Sequence, residues 1–516
     1  MSFQNIKVPE KEGETLFVPP FKTYGDLLEE NIEKRKNLLT QNKKLVPCAI
    51  EARKTTIEKA IAYTKGLGLN STVPPALNAP IIATGHQPAI FHPGVMIKIV
   101  AMNKKAKELN ATPLFITVDS DEFRGESFSV PEVSSKKLGK KNVTLLPAPN
   151  EQKIFEQVSA PSFEQIERVL KTELEDLSKS ESLHMHAKAL SCYLKRLSPD
   201  IFATAKTLAD TLIIMRRVWD EPVAEGKGYL ELPVSLLCDT PSFLAFAENI
   251  FENIEDFFNV YNGELAKYRK LRKLRYPANP FPDLAVRNDG WLETPFWGIT
   301  EDTSRTRLFV KRDDNGKIIL STGDGTQTAS VTDIASGSLK IRPKAITLTI
   351  YLRLFVLDLF IHGVGGAKYD TITDKIIERF YKITPPGYAC ISATMGLDVP
   401  IENPQEKIDV ITKNIRLAEQ NPEKVAGEDR EDIAILAQKK NLLVEKMAHP
   451  ETDRKTTGLM IKELNNKMKT LMAPEIKRLK ETLSSLEESM GEWETARARD
   501  YPFFLTDPQK LRSLIP

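Results

Sequence analysis

The residues of this sequence that are best suited to chemistry include two of its six histidines, His86 and His92. They lie in a predicted loop, residues 85–94, which also contains two Gly and two Pro. Their imidazoles, and the ammonium group of Lys98 further along, can contact a phosphate as charge builds on it. Either histidine can instead cap a turn or satisfy backbone groups, so both interpretations stay open at this point.

A cluster of carboxylates forms the second candidate. Asp119, Asp121 and Glu122 directly follow the apolar run of residues 114–118. They could bind an amine or hydroxyl group of a ligand, or hold Mg²⁺ beside nucleotide phosphates. The same residue types are favoured in the first turn of a helix. We favour the ligand interpretation because the cluster would share a sheet edge with the histidine loop.

The pattern of apolar residues predicts the elements that position these groups. Residues 81–84 form an apolar run suited to a buried parallel strand, and residues 114–118 form another. Between them, apolar residues recur at helical spacing from Val95 to Leu109. In parallel α/β sheets, ligands bind where strands end, and helix N-termini attract anions. The sequence therefore predicts an active site within residues 81–124.

A glycine-rich segment, residues 363–369, follows the apolar and β-branched region 341–360. We expect a loop there, with exposed backbone N–H groups and Lys368 available to phosphates, although an isolated glycine-rich loop is weak evidence. Glu293 stands among aromatic residues such as Trp297 and can recognise an amino group or lie on a hairpin edge. The hairpin itself is predicted over residues 305–320, with a tight turn at Asn315–Gly316.

Composition restricts the class of protein. At 516 residues the chain is too long for one core, and 72 Lys+Arg against 70 Asp+Glu give no overall reason to expect nucleic acid. The basic run 267–275 is interpreted as the solvated end of a helix. The sequence lacks a signal peptide or membrane span, and its four separated cysteines favour reduced thiols in the cytoplasm. His184 and His186 face different directions on a predicted helix, so no metal site is expected.

From residue 401 onward, charged residues dominate and apolar ones recur at three- and four-residue spacing. Such narrow seams indicate helices packed as a coiled coil or hairpin. Breaks are expected at Asn421–Pro422, His449–Pro450 and Ala473–Pro474. We expect three regions: a core over 1–400 with a connecting subdomain at roughly 150–340, a helical domain over 401–500, and a terminal segment over 501–516 that packs on the core.

Two segments resemble a known family. TGHQPAIFHPGVMIKIVAMNKKAKEL with PLFITVDSDEF, and IHGVGGAKYDTITDKIIERFYKITPP, are similar to the TGQQ-type and GGPGE-type loops of the bacillithiol biosynthesis cysteine-adding enzymes. The first loop also resembles the HxGH motif of nucleotidyltransferases, with Val95 in place of its second histidine. The chain departs from the family pattern at His86, at His92-Pro93-Gly94 and at Ala367–Lys368.

The resemblance implies an α/β protein: a Rossmann-like, nucleotidyltransferase-type core with a connecting subdomain and a C-terminal antiparallel α-helical coiled coil that forms homodimers. It implies that ATP or ADP, with or without Mg²⁺, binds near the two loops. The residues that would contact the nucleotide are Thr84, Gly85, Gln87, Gly94, Lys98, Gly363, Gly365, Gly366 and Lys368. The catalytic groups would be His86, His92, Asp119, Asp121 and Glu122, and the substrate contacts Glu293, Trp297 and Tyr369.

The family resemblance implies a nucleotide-dependent ligase or transferase that joins an amino acid, cysteine in the family, to an amine such as an amino-sugar conjugate. The departures from the family motifs support a different hypothesis, a diverged nucleotide-binding or dimeric scaffold protein. Neither hypothesis involves nucleic acid or a membrane.

Overall fold

The computed structural model describes residues 3–41, 46–71, 79–224, 228–276, 278–287, 289–299, 305–337, 339–397, 399–427 and 429–516. The chain divides into two compact units. The first, which we call the core unit, comprises Met1–Val130, Lys141–Gly396 and Arg499–Pro516. The second, the helical unit, comprises Pro131–Lys140 and Leu397–Ala498.

The strands, numbered in chain order, are β1 (Thr15–Val18), β2 (Ile81–His86), β3 (Thr112–Thr117), β4 (Glu122–Phe123), β5 (Glu126–Ser134), β6 (Lys137–Leu146), β7 (Lys153–Ile154), β8 (Leu230–Pro233), β9 (Leu292–Ile299), β10 (Arg305–Arg312), β11 (Ile318–Thr322), β12 (Thr328–Ser330), β13 (Lys340–Pro343), β14 (Leu359–His362) and β15 (Tyr388–Ala393).

The helices are α1 (Tyr24–Gln41), α2 (Val46–Gly66), α3 (Pro93–Glu108), α4 (Phe163–Ser178), α5 (His184–Leu194), α6 (Pro199–Phe202), α7 (Leu208–Ala224), α8 (Val234–Cys238), α9 (Pro241–Glu252), α10 (Ile254–Arg272), α11 (Val331–Ser336), α12 (Ala345–Tyr351), α13 (Val364–Ile376), α14 (Gln405–Gln420), α15 (Glu431–Lys446), α16 (Arg454–Leu471), α17 (Ala473–Arg497) and α18 (Pro508–Arg512). None of the helices in these ranges is long and apolar enough to cross a membrane.

The main sheet of the core unit has the strand order β1-β15-β14-β2-β3-β8. Its strands run parallel except for β1, which pairs antiparallel with β15 at one edge. The apolar runs predicted as strands are β2 and β3, and both are largely buried, as expected for parallel strands covered on both faces. The predicted α/β class is confirmed.

The connections of the chain reverse direction between two neighbouring strands of this sheet. From β2 the chain passes through α3 to its neighbour β3, and later β14 joins the opposite side of β2 and leads through α13 to β15. The connections therefore leave β2 and β14 in opposite directions. In open parallel sheets the ligand crevice lies at the carboxyl ends of the strands where this reversal occurs. We call this place the β2–β14 crevice.

The second sheet of the core unit has the order β12-β11-β10-β9-β13 and is antiparallel. The predicted hairpin is confirmed as β10 and β11. Its turn is longer than the predicted tight turn: Asp313 and Lys317 close a loop in which Gly316 adopts a positive φ of 77°. Asp313 accepts backbone hydrogen bonds from Asn315 and Lys317, which stabilises this wider loop.

Two continuous stretches of the chain each form two elements. Residues 229–237 are strand only in β8, because Pro233 ends the ladder and α8 begins at Val234. The stretch from Pro241 to Arg272 is two helices, α9 and α10, which meet at Asn253.

The helical unit contains α14 to α17, with α14 beside α17 and α15 beside α16. The helices end near the predicted breaks. Much of this unit is exposed, and its small apolar core consists of Ala418, Ile433, Met468, Met472 and Ile476. An ion pair of 2.7 Å between Lys480 and Glu419 also joins α17 to α14.

Candidate functional site

The helix that follows β2 begins with a histidine cap. His92 is the N-cap residue of α3, and its Nδ1 accepts a hydrogen bond of 3.1 Å from the backbone N–H of Gly94. Pro93 occupies the first helical turn, where its missing N–H is not needed. Burial, followed by the positive charges of Arg499 and Lys98, lowers the pKa of His92 to about 4. The neutral ring therefore carries its proton on Nε2, which can donate to a ligand.

Gly94 is needed because three groups meet at the start of α3. A Cβ atom there would lie 2.6 Å from Nη2 of Arg499, 2.7 Å from the carbonyl oxygen of Ala393 and 2.9 Å from Cε1 of His92. Arg499 donates from that same Nη2 to Ala393 across 2.7 Å. This guanidinium therefore lies beside the helix N-terminus, where it adds positive charge. Sequence reasoning missed Arg499, because it lies far along the chain in no recognisable motif.

Lys98 lies at the bottom of the β2–β14 crevice. Only 4% of it is exposed, and its Nζ donates to the carbonyl oxygen of Gly85 across 3.1 Å. Burial, together with the positive charge of Arg216, lowers the pKa of Lys98 to about 8. A Cβ atom at Gly363, beside the end of β14, would lie 3.9 Å from Cδ of Lys98. The lysine thus reaches both strands that flank the crevice.

The remaining residues predicted at the first loop have different roles. His86 is half-buried, and its ring packs at a steep angle against Phe91 with the ring centroids 4.8 Å apart. Burial, followed by the charge of Lys98, lowers the pKa of His86 to about 3. Thr84 is fully buried, and its hydroxyl donates to the carbonyl of Ile361 across 2.7 Å. Thr84 was predicted to contact the nucleotide; the structure contradicts this, because its side chain joins β2 to β14 inside the sheet.

The glycine-rich segment is not the loop that was predicted. It forms the first turns of α13, whose N-cap residue, Gly363, has no side chain to supply a cap. Gly365 is exposed, and a Cβ atom there would meet no described atom within 4 Å. Lys368 is half-buried on the second turn. The N-terminus of α13 therefore presents backbone N–H groups beside Lys98, a geometry that favours anions.

Behind α13 lies a buried ionic group that the sequence analysis missed. His362, the last residue of β14, has Nε2 3.0 Å from Oδ2 of Asp370, which also accepts from Arg353 across 2.7 Å. Gly366 is required beside it, because a Cβ atom would lie 2.7 Å from Nδ1 of His362. The segment IHGVGGAKYD contains both His362 and Asp370, but nothing in the sequence indicates that Arg353 joins them.

The predicted carboxylate cluster is divided among separate partners. Asp119 is buried and accepts hydrogen bonds from the backbone N–H and hydroxyl of Ser235. Burial, followed by the negative charge of Glu156, raises the pKa of Asp119 to about 7. Glu122 pairs with the exposed Arg124 at 2.9 Å. The described residues contain no group of three or more His, Cys, Asp or Glu able to hold a metal ion.

Asp121 connects the first loop to the second sheet. Its carboxylate accepts from Nε2 of Gln87 and pairs with Arg305 at 2.7 Å. The guanidinium of Arg305 also stacks on Trp297, with 4.4 Å from its central carbon to the ring centroid. Gln87, Asp121 and Trp297, all predicted site residues, are thus brought together through an arginine.

Glu293 and Tyr369 both lie against other side chains of the protein, and the substrate contact predicted for Tyr369 stays a prediction. Glu293 is buried and accepts from Arg307 and from Lys344, the latter across 2.6 Å. The prediction that it recognises a ligand amine is therefore corrected, because side chains of this protein already occupy the carboxylate. Tyr369 is half-buried against Phe281, with ring centroids 5.0 Å apart. Burial raises the pKa of Tyr369 to about 12.

Comparison with models of known protein families gives no match, and comparison with curated proteins also gives none. The geometry of the β2–β14 crevice is therefore the basis for assigning a function.

Proposed function

We propose that this protein is a nucleotide-dependent ligase or transferase of the bacillithiol cysteine-adding type, which joins an amino acid to an amine. The observation that carries the proposal is the position of Lys98. Its ammonium group is buried at the carboxyl ends of β2 and β14, where two helix N-termini lie beside it. A buried cation without an opposite charge is costly, and an anionic ligand offsets that cost.

The strand order supports a Rossmann-like core. Numbered along the chain, the parallel strands β2, β3, β8, β14 and β15 lie in the spatial order 3-2-1-4-5. This is the order of dinucleotide-binding Rossmann sheets, in which the ligand lies at the reversal point. The sheet of this protein reverses between β2 and β14, the two strands that Lys98 reaches.

The residues at the crevice fit a nucleotide phosphate. The N-terminus of α13 has an open N–H array at Gly365, Lys98 supplies a point charge, and Arg499 adds a second cation beside α3. His92 can donate from Nε2, because its Nδ1 caps the helix. Bound ATP would supply the leaving group that activates a carboxylate. The role of this chain's residues is to bind the phosphates and to keep water from the buried end of the crevice.

The described residues do not fit a dedicated Mg²⁺ site. Asp119, Asp121 and Glu122 point to different partners, and no described group of three ligands converges. We therefore propose that the carboxylates of Asp119 and Asp121 position other parts of the protein. Asp121 fixes Gln87 and Arg305 at the rim of the first loop, while Asp119 fixes the start of α8.

We extend the proposal to a homodimer formed by the helical unit, in which α14 to α17 act as an antiparallel coiled-coil arm. Its support is a set of exposed apolar side chains on these helices: Val410, Ile435, Leu442, Val444, Leu459, Met460 and Leu471. Sedimentation equilibrium of the full chain should give twice the monomer mass. A monomer at micromolar concentration would contradict this part of the proposal.

A second candidate function is a nucleotide-binding or dimeric scaffold that has lost its catalytic groups. It is favoured by Glu293, whose carboxylate is already bound by Arg307 and Lys344. The two functions differ in turnover. The ligase should consume ATP and release a condensation product when cysteine and an amino-sugar conjugate such as glucosaminyl malate are added. A scaffold should show no product.

The proposal is tested by thermal stability and product analysis on the same protein. ATP or ADP should raise the melting temperature of the wild type, because a ligand that binds only the folded state stabilises it. Lys98→Met should abolish that shift. The matched control Lys107→Met replaces an exposed lysine at the other end of α3 and should keep it. No nucleotide-dependent shift in the wild type would overturn the proposed function.

A further inference from the structure

A cavity of about 280 Å³ opens in the core unit near the amino end of β8. Its walls come from the segment after α2, from α6 and α7, and from Gly228 just before β8. The β2–β14 crevice lies at the carboxyl ends of the strands. The cavity is therefore separate from the site proposed for the nucleotide. Much of its wall is aliphatic, formed by Leu67, Leu69, Ile201, Ile214 and Val218.

A buried carboxylate in the cavity wall lacks part of its hydrogen bonding. Asp220 is only 3% exposed, and its Oδ2 accepts from the hydroxyl of Tyr229 across 2.6 Å. Its Oδ1 has no hydrogen-bond partner among the described residues. Buried carboxylate oxygens normally have donors, so Oδ1 can accept a hydrogen bond from a ligand that enters the cavity. Burial raises the pKa of Asp220 to about 6, so the carboxylate is charged at neutral pH.

The charge balance of the cavity is acidic. Asp200 and Glu221 also line it. Arg217 is a cation in the same wall, but it donates to the carbonyl oxygen of Tyr229 across 2.6 Å and lies 3.5 Å from the buried Glu231. Its positive charge still acts on Asp220, whose pKa it lowers against the effect of burial. The three carboxylates of Asp200, Asp220 and Glu221 outnumber this one guanidinium, so the lining of the cavity has a surplus of negative charge.

We propose that this cavity is a binding site for a small aliphatic primary amine in its ammonium form. The ammonium group donates to Asp220, and the hydrocarbon body packs against the aliphatic wall. Carboxylates pair strongly with ammonium groups away from water, whereas anionic ligands such as phosphates and carboxylates are repelled by the negative charge of Asp220. The site is distinct from the amine acceptor of the proposed reaction, because it lies at the other end of the sheet.

The test uses the full chain and n-butylammonium as the probe, with 1-butanol as a neutral analogue of similar shape. Ligand-observed NMR titration should give a dissociation constant in the millimolar range, about what a ligand of so few atoms can reach. Asp220→Asn keeps the size of the side chain and should weaken binding by about tenfold or more. Asp256→Asn, an exposed acid-to-amide change on α10, should leave it unchanged.

A second variant covers the case in which Asp220→Asn fails to fold. Ile201→Trp fills the cavity while keeping the carboxylate, and it should abolish binding of n-butylammonium. The proposal is overturned if the wild type does not bind the amine, if 1-butanol binds equally well, or if either cavity variant binds as the wild type does. Binding that fails only in the two cavity variants supports it.

Discussion

Lys98 donates a hydrogen bond from Nζ to the carbonyl oxygen of Gly85 across 3.1 Å. A buried ammonium group is therefore bound to the backbone near the carboxyl end of β2. The close fit depends on Gly85, where a Cβ atom would lie 2.8 Å from the carbonyl oxygen of Ile116. Burial of this cation opposes folding, and that cost is the physical signature expected of a residue kept for ligand binding.

Replacing Lys98 with Met should stabilise the protein while removing nucleotide binding. The pKa of Lys98 falls from 10.5 to about 8 on folding, and at about 1.36 kcal/mol per pKa unit this is a cost of about 3 kcal/mol. Removing the charge relieves the variant of that cost, but losing the hydrogen bond to Gly85 destabilises it by about 1 kcal/mol. Urea unfolding at pH 7 should therefore show Lys98→Met about 1–2 kcal/mol more stable.

The pH dependence of stability tests whether the buried charge of Lys98 causes this cost. Because the folded pKa of Lys98 is below the unfolded one, its cost is fully present below pH 8 and fades as pH rises towards 10.5. The stability of the wild type should therefore approach that of Lys98→Met over this window. A constant difference between the two proteins from pH 7 to 10 would contradict the assignment.

His92 should act as a helix cap whose role an asparagine can replace. His92→Ala removes the acceptor for the N–H of Gly94 and should cost about 1 kcal/mol. His92→Asn retains an acceptor and should cost less. The pKa of His92 is lowered to about 4, so the wild type loses stability as pH falls from 6.5 through 4, and both variants should lose less. Urea midpoints at pH 7 and pH 4.5 measure both effects, and equal loss in all three proteins would refute the assignment.

Asp119→Asn should change how stability varies between pH 4 and 7. The folded pKa of Asp119 is raised to about 7 from 3.8. The folded state therefore binds a proton more strongly, and this contribution to stability is lost as pH rises through that window. Asn is never charged, so the variant should gain about 2–4 kcal/mol relative to wild type between pH 4.5 and 7.5. Asp256→Asn is the exposed control, and parallel profiles for all three proteins would count against this prediction.

Glu231→Gln should strongly destabilise the core unit. Glu231 is fully buried in β8 and accepts two hydrogen bonds of 2.7 Å from Arg216. Removing one partner of a buried ion pair leaves the other charge uncompensated, at about 3–5 kcal/mol. Glu58→Gln, which disrupts an exposed pair with Lys54, should change stability by less than about 1 kcal/mol. Guanidinium unfolding compares the two, and similar small losses would disprove the role given to Arg216.

Much of the local structure could be predicted because it depends on neighbouring residues. The apolar runs at β2 and β3, the helical spacing of α3 and the hairpin at β10 and β11 are all short-range patterns. The glycine-rich segment was harder to predict. Its residues suit a loop, but they form the start of α13, where Gly366 leaves room for His362 and no local signal shows this.

The sequence placed the candidate site at the end of β2, which stays a prediction, but it did not indicate how the residues there are paired. Residue types around His92 and Lys98 indicated an anion site near the end of β2. The arginine that lies there, Arg499, is brought in by the return of the chain from the helical unit. Glu293 was misjudged for a similar reason, since Lys344, which binds it, follows β13, a strand that is distant in sequence but pairs with β9. Long-range pairings of this kind leave no mark on residue spacing.

The most direct test of the central claim is a crystal structure of the full chain grown with ADP. The account predicts that a phosphate of the nucleotide lies within hydrogen-bonding distance of Nζ of Lys98 and of the backbone N–H groups at Gly365 and Gly366. Nucleotide density located only on the helical unit, or elsewhere on the core unit with the β2–β14 crevice unchanged, would contradict it.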